Sequence, residues 1–145
     1  MSRTVMEKII DRARRSPRRV VLPESNDPRV IEAAGIILGE KYADLVLLGN
    51  PAEVRELAEK VGADVARAEI IDHLADPKRP EYVERLRERR KHRGMTAEQA
   101  DELLQRSVYY AGMMVGGGFA DGMVAGSTCR TADTVRSALF GVGCA

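Results

Sequence analysis

An α/β domain built on a parallel sheet is the fold class this sequence predicts, and three observations predict it. Short apolar runs alternate with stretches of helical periodicity through the first half of the chain. The runs Val20-Val21-Leu22 and Leu45-Val46-Leu47-Leu48 are apolar without a break, as strands covered on both faces are. The segments between them open on Pro28 and Pro51, and the second stops at Gly62, the asymmetry expected of helix starts and ends.

The first helix is expected from about Thr4 to Arg15. Val5, Ile9, Ile10 and Ala13 form a narrow stripe on it, and Ser16-Pro17 ends it. Arg19-Val20-Val21-Leu22 follows as a buried strand stopped by Pro23. Asp27 is the expected N-cap of the next helix, with Pro28 at its first position and Val30, Ile31, Ala34 and Ile37 on the face toward the sheet. Ala43 to Leu48 is the second strand, Pro51 to about Val61 the third helix, and Glu69-Ile70-Ile71 a short third strand. From Arg79 to about Arg93 the chain is a charged helix ending at Gly94. Thr96-Ala97-Glu98-Gln99 matches a capping box for a helix to about Leu104. Ser107 is placed as cap of the next helix, whose body, Val108 to Met114, is apolar all round and so expected to be buried. Gly116-Gly117-Gly118 stops it. Ala120 to Ala125 reads as a fourth, interior strand, Gly126-Ser127-Thr128 as a loop, and Thr131 to about Phe140 as the last helix.

In parallel sheets ligands gather at the carboxyl ends of the strands, so the loops Pro23-Glu24-Ser25-Asn26 and Gly49-Asn50 lie on the expected working edge. The composition narrows what can bind there. A net charge of +1 argues against a nucleic-acid-coating protein. Two late cysteines, Cys129 and Cys144, do not make a disulfide scaffold, and no apolar run is long enough for a membrane span. The N-terminus leads into charge rather than an apolar signal segment, so a soluble cytoplasmic domain is the expectation. Arg supplies eighteen of the 23 positive residues, and its planar fork suits carboxylates and phosphates.

The strand–loop–helix unit from Gly122 to Arg136 is the strongest local feature. A glycine, two hydroxyls and the unpaired amides of a helix start suit a phosphate. It is neither a Walker loop nor a dinucleotide fingerprint, and an ordinary turn with Thr128 or Thr131 as N-cap is the competing reading. Arg136 sits on or beside the packing face, half-buried against an acid such as Asp133 or pointed at a bound anion, with a solvent-exposed Arg whose stem lies on the surface as the competing reading. In the charged helix, Val83, Leu86 and Arg90 are spaced three and four apart, which puts Arg90 on the apolar stripe, where a charge needs an anionic partner. The rest of that helix reads as a solvated face. His73 and His92 lack partners at metal-ligand spacing, so no metal is expected. Cys129 reads as a small buried side chain and Met113-Met114 as core.

Several segments resemble the phosphate acetyl/butyryltransferases, the phosphotransacetylases. Leu22 to Val30 is similar to that family's Leu-Pro-Glu opening, and Arg89-Arg90-Lys91-His92-Arg93-Gly94-Met95-Thr96 to its Leu-Arg-Lys-x-Lys-Gly-hydrophobic-Thr segment. Tyr109 to Val115 and Ala120 to Gly126 resemble its apolar helix and following strand. Thr131 to Leu139 is close to its Thr-Ala-Asp-Thr-hydrophobic-Arg-Pro-Ala-Leu signature. The matches run in order along essentially the whole chain.

The resemblance implies a three-layer α/β/α domain like that of isopropylmalate and isocitrate dehydrogenases, with residues 1–145 as the N-terminal part of a discontinuous first domain. It implies reversible transfer of an acyl group between acetyl (or butyryl) phosphate and coenzyme A, without a metal, in a family that tends to dimerise. Arg90 and Arg136 fall on two active-site arginines, and Ser127, Thr128 and Thr131 on the substrate-lining loop and helix start. Family members are roughly twice as long, and their base, a serine and a third arginine lie in a segment that nothing here matches. A chain with half a site is expected to be inactive alone. Departures are Cys129-Arg130, where the family has His or Asn and a small hydroxyl residue, Ser137 for Pro, and Phe140 to Gly143. A non-catalytic module that senses acyl-CoA or phosphate is the alternative, and a truncated product with exposed apolar surface is a third.

Overall fold

The computed structural model describes residues 2–144; Met1 and Ala145, the ends of the expected 1–145 span, lie outside the described residues. Four parallel strands stand in the order β3-β2-β1-β4: β1 (Arg19–Leu22), β2 (Asp44–Leu48), β3 (Glu69–Ile71) and β4 (Gly122–Met123). Between and after them run α1 (Val5–Arg15), α2 (Pro28–Glu40), α3 (Pro51–Val61), α4 (Arg79–Arg90), α5 (Ala97–Leu103), α6 (Ser107–Gly116) and α7 (Thr131–Gly141). A 3-10 turn, Lys91–Arg93, joins α4 to Gly94.

Alternation along the strands splits the core in two, because successive side chains point to opposite faces. Val21, Val46 and Leu48 face α4 and α6, meeting Tyr82, Leu86, Tyr109 and Met113. Leu22, Leu45 and Leu47 face the other way, against Ile31 and Ala34 of α2 and Val54 of α3. The result is a three-layer α/β/α sandwich. No helix among the described residues is long and apolar enough to cross a membrane.

Local signals set most helix ends. Thr4 and Glu7 form a capping box on α1, Asp27 accepts from the Arg29 amide, Asn50 caps α3, and Thr96 with Gln99 caps α5. Gly62 takes the left-handed conformation that closes α3. Ser107, expected as the cap of α6, is instead its first residue. The Tyr109 and Tyr110 amides donate to the Arg106 carbonyl, which makes Arg106 the cap residue. No residue of the α1 stripe is fully buried: Val5 and Ile9 are exposed, and Ile10 and Ala13 are half-buried. On α2 the deeply buried residues are Ile31, Ala34 and Leu38, while Val30 and Ile37 are only half-buried.

The fourth strand is shorter than the expected Ala120 to Ala125, and it lies at the sheet's edge rather than inside it. Only Gly122 and Met123 pair with β1, opposite Val20 and Val21. Beyond them Gly126 takes a φ of +115°, which a side chain would resist, and the chain leaves the sheet.

The tightest packing is between α6 and α7. A methyl on Gly112 would lie 2.5 Å from the Ser137 carbonyl oxygen, and one on Gly116 or Gly141 would overlap the opposite backbone outright. Gly112 and Gly116 on one helix, with Ser137 and Gly141 on the other, let the two backbones touch. That contact fixes where the N-terminal end of α7 stands.

Candidate functional site

All four strands run the same way, so the loops that follow them meet along one edge. There, Pro23 to Asn26 follows β1, Gly49 and Asn50 follow β2, His73 follows β3, and Val124 to Arg130 follows β4.

The loop after β4 has the donor set expected for a phosphate, and a carboxylate of the chain already fills it. The Gly126 amide donates to Glu24 Oε1 at 2.6 Å and the Ser127 amide at 3.2 Å. Glu24 Oε2 accepts from the Ser127 hydroxyl at 3.0 Å, the Thr128 hydroxyl at 2.8 Å, the Cys129 amide at 3.0 Å and the Thr128 amide. Burial pushes the Glu24 carboxyl up, but the bonds from Thr128, Cys129 and Gly126 outweigh it and hold its pKa at about 2. The loop is thus an anion nest whose occupant is Glu24, 5% exposed. The hydroxyls of Ser127 and Thr128 donate inward and are not free to hold a phosphate. Neither Thr128 nor Thr131 is the N-cap of α7; Arg130 is, without a side-chain cap. Beside the nest, Asp27 is held at about 2 by hydrogen bonds from the Arg29 side chain and amide, and Arg29 also donates to the Ser127 carbonyl at 3.2 Å.

Positive charge collects one turn further on. Asp133, 1% exposed, accepts from Tyr109 Oη at 3.0 Å and pairs with Arg106 (2.7 Å), Arg130 (3.2 Å) and Arg136 (3.5 Å). The Arg106 hydrogen bond, strengthened by Tyr109 and Arg130, keeps its carboxyl well below the usual carboxylate range against the opposing effect of burial. Of the expectations for Arg136, the structure shows the neighbouring acid. Arg136 touches Asp133, and it remains half-exposed at the edge.

Among the described residues no anionic group pairs with Arg90. Its guanidinium lies over the Phe140 ring at 4.1 Å, and its buried Nε has no hydrogen-bond partner among them. A quadrupole face substitutes for a counter-ion at this half-buried position. Phe140 is four residues after Arg136 on α7, so the fold brings Arg90 to within about one helical turn of Arg136. Thr131 is exposed at the first position of α7.

Between the first three loops and the start of α6 lies a cleft of about 520 Å³, bordered by Asn26, Asn50, His73, Arg106 and Ser107. His73 donates from Nε2 to the Gln105 carbonyl at 2.8 Å, and its buried Nδ1 has no hydrogen-bond partner among the described residues. Cys129 is half-buried, with Sγ 3.1 Å from the Thr134 hydroxyl. No cluster of His, Cys, Asp and Glu able to hold a metal ion occurs among the described residues.

Glu24, Arg106 and Arg130 were absent from the residues picked out by sequence. One signal existed for Glu24, a carboxylate ending one strand where a neighbouring strand ends in Gly-Ser-Thr. None existed for Arg106, which meets Asp133 only through the α6–α7 crossing.

A family model described as phosphate acetyl/butaryl transferase matches residues 4–144. The phosphate acetyltransferase of Thermoanaerobacterium thermosaccharolyticum is 44% identical over 135 residues, which are 93% of this chain and 40% of that protein. Among solved structures, a phosphotransacetylase from Streptococcus pyogenes superposes with a TM-score of 0.89 at 35% identity, covering 97% of this chain and 43% of that one. The EutD phosphotransacetylase from Staphylococcus aureus gives 0.85 at 34% identity, over 97% of this chain and 44% of that one. The chain spans about 40% of the length of the Thermoanaerobacterium relative.

Proposed function

Because this chain belongs to the phosphate acetyl/butaryl transferase family, we propose that it supplies the phosphoryl-holding part of a site for reversible acyl transfer between acetyl phosphate and coenzyme A. In that reaction the coenzyme A sulfur bonds to the acyl carbonyl carbon. The bond from that carbon to the phosphate oxygen breaks, orthophosphate leaves with the electron pair, and the thiol proton passes to a base.

One observation carries the reading. Arg136 lies 3.5 Å from the buried Asp133 carboxylate and stays half-exposed at the carboxyl edge of a parallel sheet. A guanidinium held this way donates in a fork to a phosphoryl group and stabilises the charge that grows on it as the bond breaks. Arg90, stacked on Phe140, brings a second cation toward the same place. Ser127 and Thr128 shape the wall through the Glu24 nest rather than by donating their hydroxyls, and Thr131 presents its hydroxyl at the open end of α7.

The proton acceptor lies outside this segment in our reading. Glu24, Asp27 and Asp133 are the buried carboxylates nearest the site; hydrogen bonds hold Glu24 and Asp27 at about 2 and Asp133 well below the usual carboxylate range, which makes each a weak base. We therefore place residues 1–145 as the N-terminal part of a discontinuous domain, with the base supplied by the remainder. An apolar groove of about 490 Å³ between β1, β4 and α2, walled by Val20, Leu22, Val30, Ile37 and Val124, is consistent with packing against that remainder.

Thioester formation from acetyl phosphate and coenzyme A is the test, with the chain alone and joined to the remaining part of a relative. The chain alone gives no turnover, and a rate proportional to its concentration overturns the partial-site reading. In the joined protein Arg136→Gln lowers turnover by about a hundredfold or more. A loss smaller than roughly threefold removes Arg136 from the chemistry.

A further inference from the structure

We infer that Glu24 is a specificity-determining residue for the proposed reaction. By taking the amide and hydroxyl donors of the loop from Gly126 to Cys129, it leaves that loop able only to accept. The loop then recognises the P–OH of orthophosphate and discriminates against a tetrahedral anion of the same charge that carries no proton. The inference rests on the reading above, that phosphate binds at this edge.

All four backbone amides from Gly126 to Cys129 donate to the Glu24 carboxylate, and so do the Ser127 and Thr128 hydroxyls. The direction of the two hydroxyl bonds is fixed, because an ionised carboxylate accepts and cannot donate. Glu24 is ionised throughout the neutral range, its carboxyl being held at about 2. Neither hydroxyl is therefore free to donate to a phosphate. Both residues are exposed, however, and their oxygens keep lone pairs with which to accept from one.

The charges around the loop sharpen this polarity. Glu24 lies behind it, and Asp27 lies beside it, paired with Arg29, which also donates to the Ser127 carbonyl. An oxyanion without a proton meets lone pairs backed by negative charge, and that contact is repulsive. An oxyanion that brings a hydroxyl donates it to Ser127 or Thr128, whose oxygens are strengthened as acceptors by their own bonds to a carboxylate. The remaining oxygens of either anion suit a guanidinium equally well, so Arg136 does not tell the two apart.

Hydrogen phosphate and sulfate share shape and, in mildly alkaline solution, chiefly share charge; they differ by one proton. In an acyl phosphate the oxygen that would carry this proton is bonded to the acyl carbon instead. The loop thus acts on the orthophosphate side of the proposed equilibrium.

Calorimetric titration of the purified chain with orthophosphate and, separately, sulfate, at mildly alkaline pH and matched ionic strength, tests the inference. Wild type binds orthophosphate about tenfold or more tightly than sulfate. The double variant Ser127→Ala, Thr128→Val removes both acceptors at exposed residues without touching Glu24. Its orthophosphate affinity falls until the preference is about twofold, while sulfate affinity changes little. Disorder of the loop would instead weaken both anions alike and keep the preference. Glu24→Gln offers one acceptor oxygen to six donors, so donors turn toward the ligand and sulfate binds about threefold or more tightly than to wild type.

A wild-type preference below about threefold, or one that survives in the double variant, overturns the inference. Sulfate affinity unchanged in Glu24→Gln overturns the assignment to Glu24. In each of these cases the phosphoryl reading of the edge stands if Arg136→Gln weakens both anions. If neither anion binds, or Arg136→Gln binds both as wild type does, both readings fall.

Discussion

Replacing Glu24 by Gln probes the nest with the least change of shape. The carboxylate accepts six hydrogen bonds, and Gln keeps one acceptor oxygen while turning an amide toward the donors that remain. The cost follows from proton linkage. The Glu24 carboxyl drops from its ordinary 4.5 to about 2 in the folded chain, a difference worth about 3 kcal/mol of stability at neutral pH. A depressed carboxylate stabilises fully above its unfolded pKa and loses that contribution as pH falls toward the folded one. At pH 3 about 2 kcal/mol of it is gone. Urea unfolding of wild type and Glu24→Gln at pH 7 and pH 3 therefore gives a gap of about 3 kcal/mol that narrows to about 1. A gap below about 1 kcal/mol at pH 7, or one that does not narrow, would refute the hydrogen-bond account of the nest.

Three other outcomes follow from the packing. Gly141→Ala drives a methyl into the Gly112 backbone and lowers stability by at least about 2 kcal/mol; Gly39→Ala, on α2 with open space around it, is neutral or stabilising by about 0.5–1 kcal/mol. Equal urea midpoints for the two would contradict the α6–α7 contact. Asp133→Asn removes the shared counter-ion of three arginines and destabilises by about 2 kcal/mol or more, whereas Arg130→Ala changes stability by less than about 0.5; thermal melts separate the two. Burial and, for Tyr110, the 2.6 Å bond to Asp76 push the Tyr82 and Tyr110 hydroxyls up. An alkaline absorbance titration of the folded chain then ionises only part of its four tyrosines in the range where the unfolded chain ionises all of them.

Where a structural feature was written in neighbouring residues, the sequence showed it. The bounds of α3 follow from Asn50-Pro51 and Gly62, and those of α5 from Thr96 and Gln99, because the donors and acceptors that end a helix lie within one turn of it. The buried character of α6 was legible for the same reason. Features made by distant residues were not. The length of β4 depends on where β1 stops pairing with it and on the turn at Gly126. Arg90 was correctly placed on a buried stripe, but its partner proved to be an aromatic ring fifty residues on, outside what spacing can reveal. Gly116 looked like part of a helix stop, while its second role, letting α7 approach, needed the crossing helix to be seen. The donors around Ser127 and Thr128 read in sequence as suited to a phosphate, and only the fold shows that the Glu24 carboxylate accepts from them.

The bond between Glu24 and the loop after β4 closes a span of 102 to 105 residues. A contact of that separation carries the largest loop-closure entropy in the chain and rewards it only after both ends are ordered. The β1–β2–β3 ladder, by contrast, needs nothing beyond Ile71. During synthesis the first half can form its sheet while the nest still lacks its donors, leaving Glu24 as a solvated carboxylate at a strand end. Docking of β4 therefore leaves the charge at Glu24 unchanged at neutral pH and lowers only the pH at which it is lost, from about 4.5 to about 2. The same atoms that shape the mature edge thus tie the first strand of the sheet to the loop after its fourth.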